Sequence, residues 1–236
     1  MKHIDKKSES EPASLRQFRA GLKKEDYFRK DIFDEEFPQA AKKELRKSLL
    51  EEQGYICCYC MQRINEANTK IEHRKAQSKH PESKFDYQNL FAACKGNEGY
   101  PPEKQHCDTR KGYYEQRQTE KNIEYEITIN PADKNQNCEQ YIKYRSNGEI
   151  NFDNLDSAIR EDLEEALNLN SPVLVSNRKQ TLKAVIDQLN RKQRGEWKKQ
   201  SIKKMIQKYE NKNAKGKYLE YCQIVIYFLK KRIGEI

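Results

Sequence analysis

The chain has 236 residues, enough for a sizeable core and for one large domain or two small ones. Only 35% of the residues are hydrophobic, another 35% are charged, and mean hydropathy is -1.15, so the apolar side chains must be gathered on a few faces. No stretch approaches the roughly 20 apolar residues of a bilayer span and the start, MKHIDKKSESEP, lacks the apolar core of a secretory signal, which excludes a membrane protein and places the chain in the cytoplasm as an expectation. In a reducing compartment its seven cysteines read as metal ligands or buried thiols rather than disulfides.

Residues 1–53 read as a frayed polar tail followed by helix, with Phe28, Ile32 and Phe33 leading into a Lys/Glu/Leu-rich stretch that Gly54 closes. Residues 54–120 change character. Five of the cysteines and three of the histidines fall between 54 and 112, among Gly, Pro and Asn punctuation that argues against long regular elements. Residues 121–236 open with a strand pattern at Ile123, Tyr125, Ile127 and Ile129, then a hairpin in which Asn147-Gly148 separates two alternating runs. From Asp156 the period becomes helical and four helices are expected, with Gly195 and Gly216 separating the last three. The fold class is therefore α+β and mainly helical: a metal-held module between an N-terminal helical, partner-docking segment and a C-terminal helical region.

The net charge of +9 is concentrated. Residues 191–217 carry eleven basic side chains against Glu196 and Glu210, so this segment alone accounts for the excess and the rest of the chain is balanced. A solvated helical face and a polyanion-binding face both fit it; Trp197 and Tyr209 within the run favour binding slightly, and Lys198, Lys199, Lys203 and Lys204 are the candidate contacts.

Cys57 and Cys60 form a C-x2-C pair that lets one tight turn aim two thiolates at a single ion. Cys94 and Cys107 flank the Gly/Pro-rich insertion KGNEGYPPEKQH, which can loop out while its ends converge, and four soft sulfurs select a structural zinc. With few large apolar residues nearby, the ion is expected to supply much of the local folding free energy. His106 is an alternative ligand, while Cys58, Cys138 and Cys222 read as packing residues.

Between the two thiolate pairs lie Glu72-His73 and then Asn89-Leu90, and Asp108 follows Cys107 in the string HCDTRKG. Phosphodiester hydrolysis needs a base for water and a divalent cation to neutralise the phosphate. His73 suits the first task, Glu72 and Asp108 suit Mg²⁺ or Mn²⁺, and the Asn89 amide is expected to fix the His73 tautomer. Adjacent strand residues face opposite ways, so a bend is expected to bring Glu72 and His73 to one site. Duller roles stand beside these: a satisfied core histidine for His73, and helix caps for Asn89 and Asp108. Lys111 and Arg110 are candidate phosphate contacts, with a solvated lysine equally open. His3 and His80 are given no role.

The order C-x2-C, EH, NL, C and C-D-x-x-K resembles the HNH (ββα-metal) endonucleases. That resemblance implies a ββα-metal module with His73 as general base, Asn89 as the central asparagine and Asp108 at the last signature position. Two positions depart from the family: Asp108 stands where His or Asn is usual, and Glu72 where Asp is common, which implies a more anionic cage. EPASL, DYQNLFAAC, NPADKNQNCEQYIKY and LNLN extend the likeness over nearly the whole chain to the PtuB family, the HNH component of Septu and retron-associated anti-phage systems. It implies an effector that degrades nucleic acid, DNA or an RNA such as tRNA, held by an ATPase resembling PtuA and in some systems by a retron reverse transcriptase with its non-coding RNA/DNA. The competing expectation is a non-catalytic zinc ribbon that binds nucleic acid or protein through its basic helices.

Overall fold

The structure is a computed structural model and describes residues 1–192 and 196–236. The expected separator Gly195, and Arg194 of the basic run, lie outside the described residues. The architecture is mainly helical with two small antiparallel sheets, and no helix among the described residues is long and apolar enough to cross a membrane.

The N-terminal stretch is more broken than its periodicity predicts. Helix α1 spans Ala13–Gly21, a 3-10 turn Lys24–Phe28 and a π turn Ile32–Glu36 follow, and α2 runs Gln39–Glu52. Leu45 and Leu49, one turn apart, lie fully buried on α2 with Leu50 beside them. The chain then reverses through two left-handed residues, Gly54 and Tyr55. At Gly54 a Cβ would meet the Tyr218 ring at 2.4 Å, so only glycine fits.

The polar tail is not frayed. Met1 and Ile4 are buried, the Ile4 amide donates to Pro131 O at 2.8 Å, and Lys6 is buried against Glu52 at 2.9 Å. The Lys6 ammonium also donates to Leu90 O and sits 3.6 Å from the Tyr87 ring centroid. A charged residue read as solvated is thus sunk because one carboxylate, one carbonyl and one aromatic face replace its water.

Strands β1 (Thr69–His73) and β2 (Leu90–Cys94) pair antiparallel, with Thr69 opposite Cys94 and His73 opposite Leu90. Every residue of β2 is buried, and Gln53 joins its backbone, accepting from Ala92 N at 2.7 Å and donating to Ala92 O at 2.8 Å. Helix α3 (Cys107–Glu120) follows after the insertion. Its buried positions are Cys107, Lys111 and Gln118, so its inward face carries chemistry rather than apolar packing.

Residues 122–130 keep the expected alternation but form no strand. Tyr125, Ile127 and Ile129 are buried and Ile123 is 51% exposed. The reason is Asp162: its carboxylate accepts from Tyr125 OH at 2.7 Å, Thr128 N at 2.8 Å and Ile129 N at 2.7 Å, occupying amides a partner strand would have used. After a short α4 (Cys138–Tyr141), the Asn147-Gly148 hairpin is present with strands of two residues each, β3 (Lys143–Tyr144) and β4 (Ile150–Asn151). Gly148 has φ +99 and a Cβ there would strike Val175 O at 2.3 Å. The C-terminal helices are α5 (Ser157–Glu161, continued by a π turn), α6 (Pro172–Lys192), α7 (Lys199–Glu210) and α8 (Cys222–Arg232). Arg178 of α6 is buried and donates to Gly148 O at 2.6 Å and Leu169 O at 2.8 Å.

The buried apolar residues of all three segments form one continuous cluster, from Leu15 through Phe91 to Leu229. The cysteine-bearing segment contributes Ile56, Tyr59, Ile64, Phe85 and Phe91 to it, so burial as well as any ion holds that segment in place. Asp162→Ala should lower unfolding free energy by about 2–4 kcal/mol, because it strands a buried amide, a part-buried amide and a buried phenol. Denaturant unfolding of the variant against the parent chain measures this.

Candidate metal centre and catalytic groove

The C-x2-C pair sits in a tight turn. Ile56 and Arg63 bridge across it, Cys57 N donates to Gln62 O at 2.9 Å, and Met61 N returns to Cys57 O at 3.0 Å with Met61 in the left-handed region. Cys94 ends β2 and Cys107 begins α3, where its own positive φ lets its amide reach Leu167 O at 2.9 Å. The four sulfurs are buried and lie within 4.8 Å of one another. Cys57 and Cys107 are 3.9 Å apart and Cys60 and Cys94 3.8 Å. Four sulfurs at bonds of about 2.3 Å to one ion would stand about 3.8 Å apart, so the quartet matches a tetrahedral site for a metal such as zinc.

Burial opposes ionisation of Cys57, yet hydrogen bonds from Cys107 and the other neighbouring thiols hold it well below its usual range, whereas burial pushes Cys107 well up. Without an ion the sulfurs therefore share protons that metal binding would release. His106 stands outside the quartet: Nδ1 is 3.2 Å from the Cys107 sulfur and 3.9 Å from that of Cys94, a neighbour of the ligands rather than a replacement. Cys58, Cys138 and Cys222 are buried free thiols, as expected of packing residues.

At the other end of the hairpin, Glu72, His73 and Asp108 line one groove of about 320 Å³. No bulge is needed, since they reach it from the last residues of β1 and the first turn of α3. His73 Nε2 lies 3.0 Å from Lys84 O, and a carbonyl only accepts, so Nε2 carries the proton and the lone pair is on Nδ1. The ring packs edge-on against Phe33 at 4.6 Å. Burial lowers its pKa to about 4, so it is neutral at pH 7.

Glu72 is buried, accepting from Tyr59 OH at 2.7 Å and from the Lys111 ammonium. Asp108 takes Lys70 at 2.9 Å and is close enough to Glu72 to share its proton. Burial and the Asp108 charge raise Glu72 well above the carboxylate range despite Lys111. Burial acts the same way on Asp108, but the Glu72 hydrogen bond and the Lys70 charge prevail and lower it. The two carboxyls thus resist full ionisation together until a further positive charge joins them.

Several expected roles change. The Asn89 amide bonds to other partners than His73. Its Oδ1 accepts from Lys75 N at 2.7 Å and its Nδ2 donates to Lys75 O and Ser83 O, which clasps the loop joining β1 to β2, and Leu90 opens a strand rather than a helix. The tautomer is set instead by Lys84. Asp108 is not a cap either, because His106 occupies that position. Lys111 is 3% exposed and spends its donors on Glu72, His73 O at 2.7 Å and Arg74 O at 3.1 Å, so it is a strut inside the site and not a phosphate contact. Arg110 turns away from the groove, donating to Glu165 O and Pro102 O. Tyr59, Lys70 and Lys84 were not among the sequence candidates. Tyr59 lies inside the CCYC string, but no spacing marks the two lysines.

No protein-family model matches this chain, and no curated protein matches it. A larger cavity of about 770 Å³, lined by Lys2, His3, Glu51, Lys212 and Tyr218 among others, contains neither His73 nor the carboxyl pair. Among the described residues, His73, Glu72 and Asp108 line the smaller groove together.

On the basic segment, α7 turns Ile202, Met205 and Ile206 inward and leaves Lys198, Lys199, Lys203 and Lys204 on the surface. Lys203 pairs with Glu235 at 3.4 Å.

Two measurements follow. Purified chain should carry one tightly held metal ion, lost in Cys60→Ala together with several degrees of Tm; metal release with a colorimetric chelator and a thermal scan read both. Because folding depresses His73 from 6.5 to about 4, the unfolded chain takes up this proton first as pH falls. The resulting stability is complete above about pH 6.5 and disappears toward pH 4. Between pH 7 and 5 the parent chain should lose about 2 kcal/mol more than His73→Phe in denaturant unfolding.

Proposed function

We propose that the chain is a metal-dependent nuclease that hydrolyses phosphodiester bonds. The observation that carries this reading is a neutral imidazole, its Nε2–H pinned to the Lys84 carbonyl and its Nδ1 lone pair available, in the same open groove as the Glu72 and Asp108 carboxyls. A non-catalytic binding module has no use for a tautomer fixed beside a hard-ligand pair.

In this reading His73 Nδ1 takes a proton from water as the water oxygen attacks phosphorus. The new P–O bond forms while the opposite ester bond breaks, and the departing oxygen is protonated from solvent. Glu72 and Asp108 are the residues that would hold Mg²⁺ or Mn²⁺, which supplies charge neutralisation on the phosphate and the leaving oxygen. Tyr59, Lys70 and Lys111 position the two carboxyls. Zinc on the four cysteines has a structural part, tying the start of α3, and with it Asp108, to the end of β2. The α7 lysines extend a positive field for a polyanion. The resemblance to the PtuB family supports a further step: an anti-phage effector working with a partner ATPase on DNA or an RNA such as tRNA.

One observation favours the binding-module reading. Lys111 and Lys70 already neutralise Glu72 and Asp108, a pattern that a purely structural polar cluster would also show. Cleavage assays separate the two. The purified chain, alone and with the partner ATPase, is incubated with plasmid, single-stranded DNA and tRNA, with and without Mg²⁺ or Mn²⁺. Cutting that requires the added ion is expected, and His73→Ala should slow it on the order of 10²–10⁴-fold while metal content and cooperative unfolding persist. Full activity in His73→Ala removes the imidazole from the chemistry; absence of cutting under every condition leaves the binding module.

A further inference from the structure

The His73 groove does not end at His73. It shares Gln77 and Ser78 with a neighbouring cavity of about 390 Å³, whose other lining residues are Phe28, Lys30, Pro81 and Lys84. Phe28 is 67% exposed, a large apolar ring presented to solvent at the edge of that cavity. The backbone on either side of it is fixed, because the Lys84 ammonium donates to Tyr27 O at 3.0 Å and Arg29 O at 2.6 Å. Lys84 is also the residue whose carbonyl holds His73 Nε2. One buried lysine thus sets the exposed ring and the candidate base at a constant separation. A third observation is Gln77: its Oε1 is shut off from solvent and has no hydrogen-bond partner among the described residues. An enclosed acceptor without a donor calls for one from a ligand.

We infer that this cavity is a subsite for one unpaired nucleobase next to the scissile phosphate, and so that the substrate is single-stranded at the cut. The inference rests on the nuclease reading for the position of that phosphate. Phe28 offers a stacking face, which any base can use once its own faces are uncovered. A base within a duplex has both faces occupied by its neighbours and cannot take the place. Lys30 supplies positive charge for the adjoining backbone. The Gln77 oxygen accepts from an exocyclic amine, present on cytosine, adenine and guanine and lacking on thymine and uracil.

Binding tests this apart from catalysis. Fluorescence anisotropy is measured on the full chain carrying His73→Ala, without added Mg²⁺ or Mn²⁺, using labelled 20-mers: single-stranded DNA, the same sequence as RNA, the blunt duplex, oligo-dC and oligo-dT. Single strands should bind about tenfold more tightly than the duplex. Phe28→Ala should remove about tenfold of single-strand affinity and leave the duplex unaffected, Phe28→Trp should restore it, and oligo-dC should exceed oligo-dT by a margin that Gln77→Ala erases. The DNA and RNA arms show which backbone is accepted. Duplex binding equal to single-strand binding, unchanged single-strand affinity in Phe28→Ala, or no binding at all overturns the subsite. A chain that binds as described yet never cuts with His73 intact overturns the nuclease reading instead.

Discussion

Four sulfurs from three separate pieces of chain meet at one point, and the candidate groove takes its shape from that meeting. Cys94 stands opposite Thr69 in the β1–β2 ladder, so gathering it with Cys57 and Cys60 anchors one end of the hairpin to the turn that follows α2. His73 and Leu90 close the other end. Cys107 is both the last sulfur and the first residue of α3, which leaves Asp108, one residue on, little choice but to face the hairpin. The separation between the imidazole and the Asp108 carboxyl is thus dictated by a strand of five residues, and neither side chain has to be placed by a flexible loop.

A second constraint is electrostatic. Glu72, His73 and Lys111 are all buried within this small region, at a desolvation cost that each repays through named partners: a phenol and an ammonium for Glu72, a carbonyl for His73, two carbonyls and a carboxyl for Lys111. Networks of this kind are stable only when complete, which explains why Tyr59, Lys84 and Asn89, none of them facing the groove as a reagent, are tied so fully to their surroundings. Burial also decides the protonation state of His73. It keeps His73 neutral far below physiological pH, so its lone pair is present without any need for a neighbouring anion to hold it.

What could be read from the chain beforehand follows the range of the interactions involved. The sulfur quartet was legible because C-x2-C spacing and a Gly/Pro-rich insertion are local statements about where thiolates can go. Glu72, His73 and Asp108 were legible as a set for the same reason. Asn89 was misassigned because an amide beside a histidine suggests a hydrogen bond, whereas its true partners are backbone atoms of Lys75 and Ser83. The burial of Lys84 and Lys111 was opaque: in a chain this rich in lysine nothing marks these two as interior residues. The alternation at 123–129 was read as a strand because alternation reports burial, and burial is what it delivered; the hydrogen bonds went to Asp162, more than thirty residues away, where no local pattern points. The tail failed likewise, since Lys6 is buried by Glu52 and Leu90, both distant in sequence.

On the nuclease reading, Lys111 then explains how one site can be fully satisfied at rest and still serve chemistry. Of its three acceptors, two are the carbonyls of His73 and Arg74, which belong to the end of β1 and cannot leave. Only the third, Glu72, is a side chain, and it is the one the nuclease reading needs for a cation. If Glu72 turns an oxygen toward the groove, the ammonium keeps two good hydrogen bonds and stays charged, close to the carboxyls and to any phosphate beside them. The resting ion pair is therefore a placeholder that holds Glu72 ionisable inside a buried wall, and its loss on loading costs one contact out of three, where an unpaired buried carboxylate would have cost the fold far more.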